Sequence, residues 1–237
     1  MIASVLLPSV ARPSLLGAAF PNTTRASRAD PTYTLGHPGR CSKLPTLLIL
    51  VFDDSGSITA PGMGTDPVGN RYREAGAAIR RVATTCRCRR ELVAVLHFDT
   101  PTGRDVAPTF LRGGSYRRVQ AGLALPTGVP GSSQLGPSLR AAVRMAREHP
   151  EHAATLVVFS DLALLDPDPV AVLDELASFP GAVHAVVLGS RPPAGLDERI
   201  VATELRYDDR PGSVARALFG DLTRHRRGAR QPGEVSV

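Results

Sequence analysis

Short unbroken apolar runs recur along the chain and alternate with stretches whose apolar residues return at helical spacing. Leu47-Leu48-Ile49-Leu50-Val51-Phe52 is the first such run, and Glu91 to Phe98, Thr155 to Phe159 and Ala182 to Gly189 follow it. Runs without polar alternation read as strands buried on both faces of a parallel sheet. Ala107 to Leu111 is short and bounded by turn residues, which suits an edge strand, and Val201 to Tyr207 adds another strand. Between the runs, Arg71 to Cys86 places Tyr72, Ala75, Ile79 and Val82 on one helical face. Arg117 to Ala124, residues 137–148, Pro169 to Phe179 and Ser213 to Thr223 predict further helices. Pro169 stands at a helix start, where its missing N–H costs little. The alternation implies an α/β fold with a doubly wound, mostly parallel sheet, helices on both faces and one short antiparallel edge strand.

The 47–52 strand should end dry, yet Asp53-Asp54-Ser55-Gly56-Ser57 follows it. The carboxyl end of a central strand is where an open α/β sheet receives its ligand. Oxygen donors with no His or Cys nearby suit a hard cation such as Mg²⁺ or Mn²⁺. The Asp-x-Ser-x-Ser spacing puts Asp53, Ser55 and Ser57 on one side of a tight turn, and Gly56 is read as permitting the bend.

Two further junctions carry matching chemistry. Gly131-Ser132-Ser133-Gln134-Leu135-Gly136 opens the 137–148 helix, and Thr155-Leu156-Val157-Val158-Phe159-Ser160-Asp161 ends a strand in a carboxylate. Together these three motifs resemble the metal-ion-dependent adhesion site of von Willebrand factor type A domains, as in integrin inserted domains. The resemblance covers roughly residues 45–222. It implies a Rossmann-like α/β domain with Asp53, Ser55, Ser57, Ser133 and Asp161 as the metal set. Ser133 stands where the family usually has Thr, Gln134 where it has Asn, and Leu162 where Gly is common. Ser132 competes with Ser133 for the ligand position, and Asp54 falls outside the set. The resemblance further implies that the metal keeps a position open for an acidic side chain of a protein partner. In bacteria such domains often serve as adaptors for ATPase chaperones, metal chelatases or stress-response assemblies.

Composition changes this picture little. The chain has 237 residues, 43% hydrophobic and 21% charged, enough for one domain with a substantial core. The net charge of +6 invites a nucleic-acid reading, but Arg12, Arg25, Arg28, Arg40 and Lys43 precede residue 46 and Arg224, Arg226, Arg227 and Arg230 follow residue 222. Setting these aside with Asp30 and Glu234 leaves 19 basic and 20 acidic residues, so the middle is neutral. The expected organisation is an irregular extension over 1–45, the domain over 46–222 and a basic tail over 223–237. Lys43 is the only lysine, and Ala, Gly and Pro are abundant, as in GC-rich bacterial genomes. Cys86-Arg87-Cys88 is too tight for an ordinary disulfide, and no second Cys or His pair stands at zinc-ligand spacing. With Cys41 they read as reduced thiols of a cytoplasmic protein. Ile2 to Leu7 and Leu15 to Phe20 are apolar, but Pro8, Arg12 and Pro13 interrupt a secretory pattern and no window reaches a membrane span.

Other function classes lack the residues they need or rest on the tails alone. A receiver-type phosphotransfer site needs a Lys near its end, and the only lysine, Lys43, precedes the first strand. A dehalogenase-like phosphatase needs a second Asp where Ser55 stands, and a serine hydrolase needs a Gly-x-Ser-x-Gly elbow that is missing. The expectation is therefore a non-enzymatic interaction module. Binding of nucleic acid or an anionic surface would rest on the Arg-rich tails alone, without interleaved aromatics. His97 and His184 lie inside strands and read as core histidines, while Asp99 reads as a turn cap.

Overall fold

The computed structural model describes residues 33–59, 66–99, 103–112, 114–124 and 131–231. The apolar stretches before residue 21 lie outside the described residues. A six-stranded sheet forms the middle layer, built from β2 (Thr46–Phe52), β3 (Leu92–His97), β4 (Val106–Phe110), β5 (Ala153–Ser160), β6 (Ala182–Leu188) and β7 (Ile200–Leu205). Its order is β4-β3-β2-β5-β6-β7, parallel throughout except for the antiparallel edge strand β4. The order reverses between β2 and β5, which are hydrogen-bonded neighbours with Phe52 opposite Phe159.

The missing alternation in β2 has a plain cause. Leu47, Ile49 and Val51 enter one core, while Leu48, Leu50 and Phe52 enter the other, so every residue of the strand is buried. The first core is closed by α4 (Gly136–Glu148), through Leu139, Ala142 and Ala146, and by α5 (Pro169–Ala177), through Val172 and Leu176. The second is closed by α2 (Arg71–Thr85), α3 (Ser115–Gly122) and α6 (Ser213–Thr223), through Ala75, Ile79, Val82, Val119, Leu218 and Phe219. A short helix, α1 (Gly56–Thr59), follows the Asp-Ser motif. Among the described residues no helix is long and apolar enough to cross a membrane.

The two ends depart from the expected organisation. Within the supposed irregular extension, β1 (His37–Arg40) pairs antiparallel with β8 (Arg227–Arg230), which lies in the supposed basic tail. Arg226 is buried rather than solvated. Tyr33 and Leu35 pack on the second core, so residues 33–40 are folded with the domain. Glu74, fully buried on α2, accepts the Gly212, Val214 and Ala215 N–H groups and caps α6 from across the chain. Gly212 has φ +89, and a Cβ there would lie 2.3 Å from the Tyr33 ring, so the turn into α6 needs glycine.

Candidate metal centre

β2 delivers Asp53 and Asp54 to the switch point, and strand alternation sends them opposite ways. Asp53 turns toward β5. Its N–H donates to Phe159 O (2.9 Å), Ser160 Oγ donates to Asp53 Oδ2 (2.7 Å), and Ser55 N–H donates to Asp53 Oδ1 (2.8 Å). Ser55 Oγ and Ser57 Oγ are hydrogen-bonded at 3.0 Å. Gly56 opens α1 without a positive φ, and a Cβ there would meet nothing within 4 Å. The bend after Asp53 is thus a helical entry, and the glycine is not what permits it. Burial deepens from Ser57, which is exposed, to Asp53, which has no exposed surface.

Asp161 extends the same strand end, one residue beyond Ser160. Its Oδ1 accepts the Ala163 N–H and its carbonyl accepts Ser190 Oγ, each at 2.9 Å. Leu162 occupies the left-handed region at φ +59, so it takes the backbone conformation that glycine would favour. Its side chain is 6% exposed and joins the first core, which offsets a strain of about 1 kcal/mol. The loop keeps its conformation by packing in place of glycine's freedom.

Ser133 lies in the loop before α4, buried to 7% exposure. Leu165 N–H donates to Ser133 O (2.9 Å), and a Cβ on Gly131 would lie 4.0 Å from Asp54 Cβ, so this loop sits between the Asp53 turn and the Asp161 loop. Ser132 Oγ donates to Asp99 Oδ2 (2.8 Å), whereas Ser133 Oγ has no hydrogen-bond partner among the described residues. That difference distinguishes the two serines: Ser132 is bonded within the loop, and Ser133 Oγ carries no such bond among the described residues. Asp166 fixes the loop's exit, accepting the Leu135 and Gly136 N–H groups at 2.8 and 2.9 Å. This carboxylate caps α4 from 30 residues away, and no local motif signals it.

Asp54 is almost fully buried. It is buried among Arg71 Nη2 (3.2 Å), His97 Nδ1 (2.6 Å) and the Tyr72 hydroxyl, which donates a short hydrogen bond to Oδ1. Burial and the Asp54 charge push the Tyr72 phenol far up, so it stays a donor. His97 Nε2 faces Gly122 O (3.1 Å). Arg71 Nη2 also reaches Asp53 O (3.3 Å), tying this network to the motif. His184 is held between Asp221 and Thr203, away from the site.

The electrostatics distinguish the two carboxylates. Asp54 has a cation, whereas among the described residues Asp53 and Asp161 have no ion-pair partner. Burial raises the Asp53 carboxyl above its ordinary 3.8, and the Asp161 charge adds to the rise, while hydrogen bonds from Ser55 and Ser160 oppose it. Two acidic groups and three hydroxyls, without a cation or a sulfur, fit a hard divalent ion.

No family model and no curated protein sequence matches the chain. Solved structures do. The fold is similar to a von Willebrand factor type A protein from Catenulispora acidiphila, with a TM-score of 0.54 at 12% identity, over 81% of this chain and 49% of that one. It is also similar to the pilus adhesin SpaC from Lactobacillus rhamnosus GG, with a TM-score of 0.57 at 12% identity, over 78% of this chain and 31% of that one. Proximal thread matrix protein 1 from the mussel byssus matches with a TM-score of 0.50 at 14% identity, over 77% of this chain and 47% of that one. The chain spans about half the length of the first and third and less of the second. Such identities speak for architecture alone. By this likeness the chain has the von Willebrand factor type A fold.

Proposed function

We propose that the carboxyl ends of β2 and β5 hold a divalent cation, Mg²⁺ or Mn²⁺, and that the cation captures an acidic side chain of a protein partner. Asp53, Ser55, Ser57, Ser133 and Asp161 would hold it. The observation that carries this reading is the fully buried Asp53 carboxylate, which lies under the influence of Asp161 with no cation paired to either among the described residues. A buried charge is costly unless compensated, and a bound cation supplies the compensation. The hydroxyl donors add no charge of their own, so the metal would retain positive character toward an incoming carboxylate.

The role is recognition rather than catalysis. The histidines that could serve as bases, His97 and His184, are buried and already bonded to carboxylates on the covered faces of the sheet. An adaptor role inside a bacterial cell fits this chemistry. Mn²⁺ binding followed by electron paramagnetic resonance tests the ligand set. The wild-type chain and Ser132→Ala quench the signal of free Mn²⁺, while Ser133→Ala weakens binding roughly 10- to 100-fold, at least the scale of losing an outer-shell partner. Equal binding by Ser133→Ala would exclude that loop from the site.

A further inference from the structure

At the opposite end of the sheet from Asp53, three thiols and a carboxylate converge. Cys41 follows β1, Cys86 caps the end of α2, Cys88 lies in the turn beyond it, and Glu91 immediately precedes β3. One donor atom from each lies within 4.8 Å of all the others. Cys41 Sγ is 3.5 Å from Cys86 Sγ, Cys86 Sγ is 3.3 Å from Cys88 Sγ, and Cys88 Sγ is 3.9 Å from Glu91 Oε1. A tetrahedral ion about 2.3 Å from sulfur and about 2.0 Å from oxygen sets its ligands about 3.5–3.8 Å apart. The three separations fall within about half an ångström of those edges. A disulfide needs sulfurs about 2.05 Å apart and would leave one of the three thiols over.

We propose that Cys41, Cys86, Cys88 and Glu91 form a structural zinc site, chemically separate from the hard-cation centre at Asp53. Four protein ligands, three of them thiolates, make a closed site of the kind zinc takes and Mg²⁺ does not.

The surroundings orient these ligands. Thr46 N–H donates to Glu91 Oε2 (2.7 Å), which turns Oε1 toward the sulfurs. Arg226 Nη2 lies 3.3 Å from Cys41 Sγ and 3.5 Å from Glu91 Oε1. Zinc with three thiolates and a carboxylate carries two net negative charges. The Arg226 guanidinium, 5% exposed, offsets one of them, which accounts for a buried arginine in a segment that reads as tail.

The turn itself is built for this arrangement. Arg89 takes φ +57, so the chain reverses between α2 and β3 and leaves Cys86 and Cys88 facing the same point. Cys41 enters from 45 residues earlier, carried by the β1–β8 pairing. Sequence spacing shows only the Cys-x-Cys half, because the other two ligands are delivered by tertiary structure. The site would fasten β1, and through it β8, to the start of the central strands.

Cobalt substitution tests the proposal directly. The thiol cluster of the reduced, metal-stripped 237-residue chain takes up one equivalent of Co²⁺. It then shows thiolate-to-cobalt charge transfer and the visible bands of a tetrahedral ion, and Zn²⁺ abolishes both. Asp53→Ala keeps this spectrum, Cys88→Ser loses it, and Arg226→Met weakens the affinity roughly 10- to 100-fold. Should the cysteine variants fail to fold, the wild-type spectrum decides alone. A reduced wild-type chain without a charge-transfer band would overturn the site. So would a chain that binds no zinc and loses two hydrogens on oxidation, because the cluster would then be a thiol–disulfide pair.

Discussion

Ser160 Oγ donates to Asp53 Oδ2 at 2.7 Å, across the seam where β2 and β5 pair and the strand order reverses. Ser160 has no exposed surface, and its hydroxyl also accepts the Leu162 N–H (2.9 Å). One side chain therefore holds the deepest carboxylate of the site and the strained loop after Asp161.

Ser160→Ala leaves Asp53 Oδ2 and the Leu162 N–H without these partners. A buried group deprived of its hydrogen bond costs about 1–3 kcal/mol, so the variant unfolds at lower urea by that amount. Mg²⁺ present during the titration recovers part of the loss, because the cation takes over Oδ2. Urea denaturation with Mg²⁺ and with chelator measures both effects, and a loss unaffected by Mg²⁺ would separate Ser160 from the site.

Asp54→Ala strikes the neighbouring network. Arg71 is 3% exposed and pairs with Asp54, so the variant leaves a buried cation uncompensated. Breaking one side of a buried pair costs about 3–5 kcal/mol, and the Tyr72 and His97 bonds to the same carboxylate go with it. The expected outcome is a severe loss of stability by calorimetric unfolding. Among the variants that remain folded, Asp54→Asn keeps Mg²⁺ binding, because Asp54 faces away from the metal set.

On the proposed metal centre, protons and metal compete for Asp53. Burial, reinforced by Asp161, raises its folded-state pKa above 3.8, so the metal-free folded chain binds this proton more readily than the unfolded chain. Stability without metal from this group is present at low pH and falls as pH rises from about 4 through the raised value. With saturating Mg²⁺ the sign reverses, because the cation favours the ionised form. Thermal unfolding across that window, with Mg²⁺ and with chelator, should give converging curves at low pH and diverging curves above it. Parallel curves would contradict the assignment.

Much of this was readable from one dimension. β2 and β5 announce themselves because both faces of each are buried, which removes all alternation, and a carboxylate at the end of such a strand has no packing reason to be there. The α6 limits, Ser213–Thr223, agree with the periodicity, because Val214, Ala215, Leu218, Phe219 and Leu222 return at helical spacing and are all buried. The β1–β8 pair was illegible: each strand is four residues long, β1 contains Pro38 and Gly39, and neither has an apolar face. The Asp54 network was equally hidden. Its partners are set by β2–β3 register, which places His97 opposite Phe52, and by the helix that carries Arg71 and Tyr72. Asp166 and Glu74 cap helices far from themselves in sequence, and no local rule anticipates such caps.

Calorimetric titration of Mg²⁺ into the wild-type chain and into Asp53→Ala tests the central claim most directly. Mg²⁺ is the ion of choice because the thiol cluster does not compete for it. One binding event in the wild type, absent from a variant that still unfolds cooperatively, is the predicted result. Equal binding by both proteins would contradict a metal centre built on Asp53.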